Sequence, residues 1–238
     1  MALLAEADGS IDWSLVSHVN GLARDLPSGV DSGLSFLGEY GVPLLSILML
    51  LATWRWARRR PDASGAVAGV LWAGLAAGTA LVLNVPVRAL VRRARPFVAH
   101  PGQLDLLTSH QANGSFASDH ATFTMAIAVG ILLVNRKYGF VAMALAGFEG
   151  FLRVFMGVHY PTDVVGGFAL GTATTLLLAP IAMALFVPLV HSLTRTSLAP
   201  LVQTTRGRRP ARGGGFPETS ADTDDLGAAR PGRGDLAA

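Results

Sequence analysis

The residues best suited to chemistry stand in the stretch FLRVFMGVHYPTD, residues 151–163, between two long apolar runs. Arg153, His159 and Asp163 fall there, where the helices of an apolar chain would meet a membrane surface. A carboxylate that holds one imidazole nitrogen leaves the other unprotonated and directed outward, as a nucleophile or a base requires. A surface contact between a histidine and an aspartate would give the same pattern, so this stretch alone decides nothing.

A second cluster, RALVRRARP at residues 88–96, supplies cations. Arg88 and Arg95 are seven positions apart, which predicts that they share one helix face, two turns from each other. Pro96 disfavours continued helix from Arg95 onward. Two converging guanidinium groups would suit a phosphate, because each can bind two oxygens. The alternative is a belt of arginines that extend to the lipid headgroups.

A third cluster, GSFASDHATF at residues 114–123, precedes another apolar run. Ser118 is a suitable N-cap, and the amide groups of the following turn would face an anion outside the helix. His120 lies in that first turn. Asp119 suits a helix N-terminus electrostatically, but it would repel a bound phosphate unless its side chain points away. Alone, this stretch also fits an ordinary capped helix with an incidental histidine.

The amino-acid composition indicates which kind of protein holds these three clusters in place. Of the 238 residues, 51% are hydrophobic and 15% are charged, whereas a soluble domain usually has about a quarter charged residues. We therefore predict an integral membrane protein. The net charge of +3 comes from clustered arginines, which argues for membrane topology rather than a nucleic-acid partner. The absence of cysteine excludes disulfides, thiolate metal sites and a cysteine nucleophile.

Apolar stretches long enough, or nearly so, to cross a bilayer predict an all-α polytopic bundle of about five transmembrane helices. They run approximately over residues 33–57, 64–90, 119–135, 138–156 and 163–190. The third is short, and the sequence leaves open whether there is a sixth span. Glycine pairs four residues apart, such as Gly167 and Gly171, predict close helix packing in lipid.

Two flanking segments complete the predicted organisation. Residues 1–31 form an N-terminal interfacial segment, because Ile11, Leu15, Val19 and Leu22 recur at helical spacing among polar residues. Residues 32–192 form the transmembrane domain. Residues 193–238 form a flexible tail, which is poor in large apolar residues from about 204 onward.

The arginines also predict the orientation. Basic residues cluster in the loop after the first span (RWARRRPD), in the loop after the third (Arg136 and Lys137) and in the tail (RGRRPAR). With five spans these regions share one side, which the positive-inside rule assigns to the cytoplasm. The three reactive clusters then lie on the extracytoplasmic side, where the arginines of residues 88–96 break the rule and suggest a role other than topology.

In combination, the three clusters resemble the phosphatidic acid phosphatase type 2 superfamily. The matching pattern is Arg88-x6-Arg95-Pro96, then Ala117-Ser118-Asp119-His120, then Arg153-x5-His159-x3-Asp163. Within that superfamily, SFASDHATF and GVHYPTDV look most like the bacterial undecaprenyl-diphosphate phosphatases, and the likeness covers roughly residues 15–190.

The resemblance implies a hydrolase of the cell membrane that converts undecaprenyl or decaprenyl diphosphate to the monophosphate and so recycles the carrier lipid of cell-wall synthesis. His159 would form a phosphohistidine, Asp163 would hold its other nitrogen, and His120 would act as acid and then base. The predicted phosphate-binding residues are Arg88, Arg95, Ser118, Asp119 and Arg153. No metal or other cofactor is implied, and the sequence indicates no oligomeric state.

Three positions depart from the superfamily pattern: Arg88 replaces the usual lysine, Ala117 a proline, and Leu152 a serine that would donate to phosphate. The alternative enzyme is a phosphatase for phosphatidic acid or phosphatidylglycerol phosphate. A non-catalytic membrane transporter or binding protein is the alternative of another class. A zinc enzyme that uses His100, His110, His120 and His159 is a weaker one, since the spacing matches no recognised zinc site.

Overall fold

The computed structural model describes residues 11–24, 26–108 and 111–204, and the predicted flexible tail beyond Thr204 lies outside them. Within these ranges every regular element is helical. The elements are α1 (Ile11–Gly21), α2 (Ser28–Phe36), a π-helical turn (Leu37–Gly41), α3 (Val42–Ala57), α4 (Ala63–Val91), α5 (Pro96–Ala99), α6 (Asp119–Val134), α7 (Arg136–Phe155), α8 (Pro161–Leu193) and α9 (Ala199–Val202).

Four helical stretches of the described chain are long and apolar enough to cross a membrane: Gly29–Ala57, Ala63–Ala99, Arg136–Phe155 and Pro161–Leu193. Their outer faces carry exposed leucine and isoleucine side chains, for example Leu177, Ile181 and Leu185 on one stripe of α8. Such a stripe is typical of a surface that faces lipid. The prediction of an all-α polytopic membrane bundle is confirmed.

The short apolar helix α6 lies at the centre of the bundle, where it packs against α4, α7 and α8. Its 16 residues cover about 24 Å at 1.5 Å per residue, less than the hydrocarbon thickness of about 30 Å. Ala126, Ile127 and Ile131 are almost completely buried. A helix that other helices surround need not match the bilayer by itself, so the predicted shortfall of the third span is accommodated by its central position.

Glycine brings α8 against the backbone of α6. A methyl group added at Gly167 would lie 2.7 Å from the carbonyl oxygen of Ser118, and one at Gly171 would lie 2.5 Å from that of Thr122. These distances leave no room for a side chain, as the predicted close packing requires. The approach also places the start of α8 beside the start of α6, where two of the reactive clusters stand.

Helix α4 ends earlier than the spacing of its arginines predicted. The helix stops at Val91, Arg92 adopts the left-handed conformation (φ 51°), and Arg95 is extended. The expectation that Arg88 and Arg95 share one helix face is therefore wrong. They approach each other because the chain turns between them, with Pro96 beginning the short helix α5 as its first residue.

Helix α1 has a protein-facing side that its apolar pattern did not reveal. Asp12, Val16 and Asn20, one turn apart, are buried, whereas Ile11 and Leu15 are exposed. The amide of Asn20 donates hydrogen bonds to the carbonyl oxygens of Phe155 (2.9 Å) and Asp105 (2.8 Å). The buried side fixes α1 to the loops of the bundle, and the location of its exposed apolar side in the membrane interface stays a prediction.

At the opposite end of the bundle, the chain after α8 folds back onto the basic loop that follows α3. Trp54 Nε1 donates to the carbonyl oxygen of Leu201 (3.1 Å). The backbone amide of Thr204 donates to the carbonyl oxygen of Arg58 (3.0 Å). Val202 is buried beside Ala57. Ordered packing thus continues to Thr204, past the predicted start of the tail at residue 193.

Candidate active site

The three reactive clusters meet at one end of the bundle, where α4 and α7 end and α6 and α8 begin. Between α7 and α8 the chain turns at Gly157, whose φ of 72° disfavours any side chain. Pro161 then begins α8 as its first residue, as the sequence predicted. His159 is held in this turn, and the amide of Ser118 donates to the carbonyl oxygen of Asp163 (3.1 Å), which joins the second cluster to the third.

His159 is 2% exposed, and its two ring nitrogens have different neighbours. Nη1 of Arg95 lies 3.2 Å from Nε2; because a guanidinium only donates, Nε2 must be the acceptor and the ring proton lies on Nδ1. Nδ1 stands 3.5 Å from Oδ2 of Asp163. Burial, with a smaller contribution from Arg95, lowers the pKa of His159 to about 4. The ring is therefore neutral at physiological pH, with the lone pair of Nε2 beside a cation.

The carboxylate of Asp163 is completely buried and has several donors. It accepts hydrogen bonds from the amide of Tyr160 (2.9 Å), from Nη1 of Arg93 (3.0 Å) and from the hydroxyl of Ser115. These contacts compensate its charge and fix its orientation toward His159. Neither Arg93 nor Ser115 was among the predicted site residues.

Arg93 connects Asp163 to the N-terminal helix. Its Nη2 lies 2.7 Å from Oδ2 of Asp12, its Nη1 donates to the hydroxyl of Thr162 (2.6 Å), and its guanidinium lies 3.9 Å from the ring centroid of Tyr160. The hydroxyl of Thr162 also contacts Asp12. Asp12, Arg93 and Asp163 form a continuous chain of charges, here called the Asp12–Arg93–Asp163 network, that ends at His159.

Ser118 caps α6 as predicted, because its hydroxyl oxygen accepts from the amide of Ala121 (3.5 Å). His120, in the first turn of that helix, is half-buried, and its Nε2 lies 3.3 Å from the carbonyl oxygen of Glu39. Glu39 belongs to the π-helical turn before α3, and single turns of this kind are frequent at functional sites.

Asp119 forms an ion pair with Arg88, one of the predicted phosphate-binding residues. Its Oδ1 lies 2.5 Å from Nη2 of Arg88 and accepts a hydrogen bond from Nδ2 of Asn84 (2.7 Å). Asn84 is fully buried one turn before Arg88, and it also donates to the carbonyl oxygen of Ala117 (2.8 Å). The Asp119 carboxylate thus orients Arg88, while Asn84 fixes the turn that leads into α6.

Arg153 is completely buried and surrounded by oxygen. Its Nη1 lies 3.0 Å from Oε2 of Glu39, 3.2 Å from the carbonyl oxygen of Gly38 and 3.8 Å from Oε1 of Glu149. Its neighbour Leu152 packs in an apolar cluster with Val42 and Met156, and a leucine there supplies no phosphate donor. Glu39 contacts both Arg153 and His120, and it therefore links the third cluster to the second.

The resulting site places three arginines near a neutral imidazole, and two of them, Arg88 and Arg153, are paired with carboxylates. Arg88 and Arg153 both lie within electrostatic range of Arg95, which itself touches His159. Such an arrangement can bind a tetrahedral anion, attack it with Nε2, and stabilise charge on its oxygens.

The histidines of the zinc alternative have separate surroundings. His100 stacks on the ring of Trp13 at 3.6 Å, His120 and His159 have the contacts given above, and His110 lies outside the described residues. Within the part of the chain that the structure covers, no three histidine, aspartate or glutamate side chains are grouped as metal ligands.

Known proteins with related sequences decide the family. Residues 69–197, more than half of the chain, match the PAP2 superfamily. The chain belongs to the PAP2 superfamily. It is 33% identical over 156 residues to the undecaprenyl-diphosphatase BcrC of Bacillus subtilis, an alignment that covers 66% of this chain and 76% of that protein.

A further relative in sequence and a solved structure are also similar to this chain. The decaprenylphosphoryl-5-phosphoribose phosphatase of Mycobacterium tuberculosis is 39% identical over 141 residues, which cover 58% of this chain and 71% of that one. The crystal structure of a transmembrane PAP2-type phosphatidylglycerolphosphate phosphatase from Bacillus subtilis has the same fold, with a TM-score of 0.50, 24% identity, and coverage of 77% of this chain and 92% of that one. This PAP2 protein is a multi-pass membrane enzyme that hydrolyses lipid phosphates.

Proposed function

We propose that this PAP2 phosphatase hydrolyses a polyprenyl diphosphate, undecaprenyl or decaprenyl, to the monophosphate, and so returns the carrier lipid to cell-wall synthesis. One observation supports the proposed chemistry most directly: the ring of His159 is buried and neutral, with Nδ1 toward Asp163 and an accepting Nε2 beside Arg95. The choice of substrate is supported by the similarity to BcrC, which is an undecaprenyl-diphosphatase.

In the first proposed step, Nε2 of His159 attacks the terminal phosphorus. The bond from that phosphorus to the bridging oxygen breaks, and His120 donates a proton to the departing oxygen of the polyprenyl monophosphate. In the structure Arg95 donates to Nε2. During this step its guanidinium therefore moves from Nε2 onto a phosphoryl oxygen. The product is a phosphohistidine at His159.

In the second step, His120 accepts a proton from water, and the water oxygen attacks phosphorus while the bond to Nε2 breaks. Inorganic phosphate leaves, and both histidines return to their starting forms. Arg88, Arg95, Arg153 and Ser118 stabilise the charge on the phosphoryl oxygens in both steps. Asp119, a predicted phosphate-binding residue, acts through its contact with Arg88.

We assign the site to the extracytoplasmic face and the C-terminus to the cytoplasm. The site lies at the end of the bundle away from the basic loop at residues 55–60, where Thr204 contacts Arg58. The positive-inside rule supports a cytoplasmic location for that loop. A lipid diphosphate could then present its headgroup at the outer surface while its chain stays between the helices.

A second candidate is the removal of phosphate from a polyprenyl-linked sugar phosphate. It is favoured by the 39% identity to the decaprenylphosphoryl-5-phosphoribose phosphatase. In that reaction the leaving group would be a sugar hydroxyl, which needs protonation by His120 more than a phosphate does.

Purified protein in detergent tests these substrates directly. Undecaprenyl diphosphate, decaprenylphosphoryl-5-phosphoribose, phosphatidic acid and phosphatidylglycerol phosphate are supplied at matched surface concentration, with and without a chelator. We expect the highest kcat/KM on undecaprenyl diphosphate and no effect of the chelator. A clear preference for any of the other lipids would refute the proposed substrate, and loss of activity in chelator would restore the zinc alternative.

Cysteine labelling tests the orientation, since the chain has no cysteine of its own. Gln103→Cys lies in the exposed loop after α5, and Arg59→Cys lies in the exposed basic loop at the other end. An impermeant maleimide added to intact cells should label the first variant and label the second only after lysis. The reverse pattern would place the site inside.

A further inference from the structure

An open cavity of about 490 Å³ adjoins the site on the side of the turn that follows α4. Its lining includes Arg88, Arg92, Arg93, Arg95, Val85 and Val98. Four guanidinium-bearing residues around one cavity are more than a single phosphoryl group requires, and two of them, Arg92 and Arg93, fall between the positions of the superfamily pattern.

The charges of these arginines are compensated to different degrees. Arg93 contacts Asp12 and Asp163, and Arg88 contacts Asp119. Arg92 and Arg95 form no ion pair with a carboxylate of the described residues. The cavity therefore keeps an excess of positive charge, which favours an anionic occupant.

Arg92 is the exposed member of this group, and its backbone holds it at the cavity. It is the left-handed residue that ends α4, and its Nε donates to the carbonyl oxygen of Ala89 (3.0 Å). This contact uses one donor of the side chain, and its two terminal amino groups, which have no acceptor among the described residues, can bind a ligand.

Two of the arginines that line the cavity also contact residues of the proposed catalytic clusters. Arg95 touches Nε2 of His159, while Arg88 contacts Asp119, the residue before His120. A phosphoryl group that is attacked at His159 would engage Arg95 and Arg88. Arg92 would then meet whatever charged group is attached to that phosphoryl group.

We propose that Arg92 and this cavity bind the second, non-scissile phosphate of the substrate, so that the site selects lipids in which two phosphates are joined. The inference rests on the proposed function and specifies how it is achieved. When the bridging bond breaks, negative charge develops on the departing phosphate, and a fixed guanidinium stabilises it. Val85 and Val98 provide apolar surface for the first carbons of the lipid.

The test compares Arg92→Ala and Arg92→Lys with the wild type on farnesyl diphosphate and on phosphatidic acid, which has a single phosphate. Because the lost contact is a hydrogen bond between charged groups, the ratio of kcat/KM for the diphosphate to that for phosphatidic acid should fall about tenfold in Arg92→Ala. Arg92→Lys should recover part of that loss, since it keeps the charge but not the paired donors. Arg60→Ala, an exposed arginine at the opposite end of the bundle, is the matched control and should keep the wild-type ratio.

Inhibition by inorganic pyrophosphate and inorganic phosphate gives a second measurement that is independent of the lipid. Arg92→Ala should weaken pyrophosphate inhibition by about the same factor and phosphate inhibition much less. An equal loss on both substrates, or an unchanged ratio together with unchanged pyrophosphate inhibition, would overturn the inference. If the wild type turns over phosphatidic acid but not farnesyl diphosphate, the proposed function fails, and pyrophosphate inhibition alone then decides whether the cavity binds a second phosphate.

Discussion

The surroundings of His159 and His120, the two proposed catalytic histidines, differ in almost every respect. His159 is buried, touches Arg95, and faces a carboxylate with three further donors. His120 is half-buried, and the hydrogen-bond partner described for its Nε2 is a backbone oxygen, that of Glu39. One ring is held by a network of charges that extends to α1, and the other stands in the first turn of a helix.

This difference matches two chemical requirements. A nucleophile must keep an unprotonated nitrogen aimed at phosphorus, which burial and a fixed neighbour accomplish. An acid that later serves as a base must exchange protons with the leaving group and with water, and a half-exposed position permits that exchange. The structure therefore supports separate roles for His159 and His120, and a mutation can remove either role independently of the other.

The largest expected effect is that of His159→Ala. Without the nucleophile the variant should lose at least about 10⁴-fold in kcat on every substrate. When both proteins are quenched during turnover, the wild type should contain an acid-labile phosphoenzyme and the variant should not. The measurement is steady-state hydrolysis together with rapid-quench trapping. Residual phosphoenzyme in the variant would show that another residue is phosphorylated.

A smaller and substrate-dependent loss is expected for His120→Ala. Loss of the proton donor should cost about 10²–10⁴-fold on a lipid monophosphate, whose alkoxide is a poor leaving group, and less on p-nitrophenyl phosphate. The ratio of the two losses is the informative quantity, and it is obtained from kcat/KM on each substrate. Equal losses on both would contradict the assignment of His120 as the acid.

The surroundings of His159 also predict a pH dependence. Its pKa lies at about 4 rather than at the ordinary 6.5, so the neutral form persists as the pH falls and is lost only near pH 4. At pH 5.5 an ordinary histidine would be only about one-tenth neutral, whereas His159 remains almost fully neutral. NMR titration of protein labelled with 15N-histidine measures this, with the signal of His159 identified by its absence from His159→Ala. A midpoint near 6.5 would contradict the predicted environment.

The smallest effect is expected for Asp12→Asn, which weakens the Asp12–Arg93–Asp163 network from its outer end. Loss of one charged contact to Arg93 should lower kcat by about fivefold with little change in KM, because Asp12 orients the nucleophile and does not touch substrate. Asp105→Asn removes a comparable but exposed contact, to Arg24, and should have no effect. If both variants behave alike, or if Asp12→Asn changes KM alone, the network does not act on His159.

The sequence predicted those features that depend on local pattern. The apolar runs gave the spans to within a few residues, Pro161 and Gly157 gave the turn around His159, and Ser118 gave the start of α6. Each of these follows from the properties of neighbouring residues along the chain.

The contacts that orient the site depend on residues distant in sequence, and these were missed. Asp12 meets Arg93 across 81 positions, and Glu39 meets Arg153 across 114. A single sequence shows a charged residue but not its partner. The helical spacing of Arg88 and Arg95 was even misleading, because it assumed a helix that ends at Val91.

The length of α8 has a practical consequence. Its 33 residues extend about 50 Å at 1.5 Å per residue, so the loop of the nucleophile and the contact between Thr204 and Arg58 lie a whole bilayer apart. An affinity handle or fluorophore fused downstream of Thr204 should leave hydrolysis undisturbed. The same separation makes that end of the bundle the favourable place to tether the enzyme to a surface for single-molecule work.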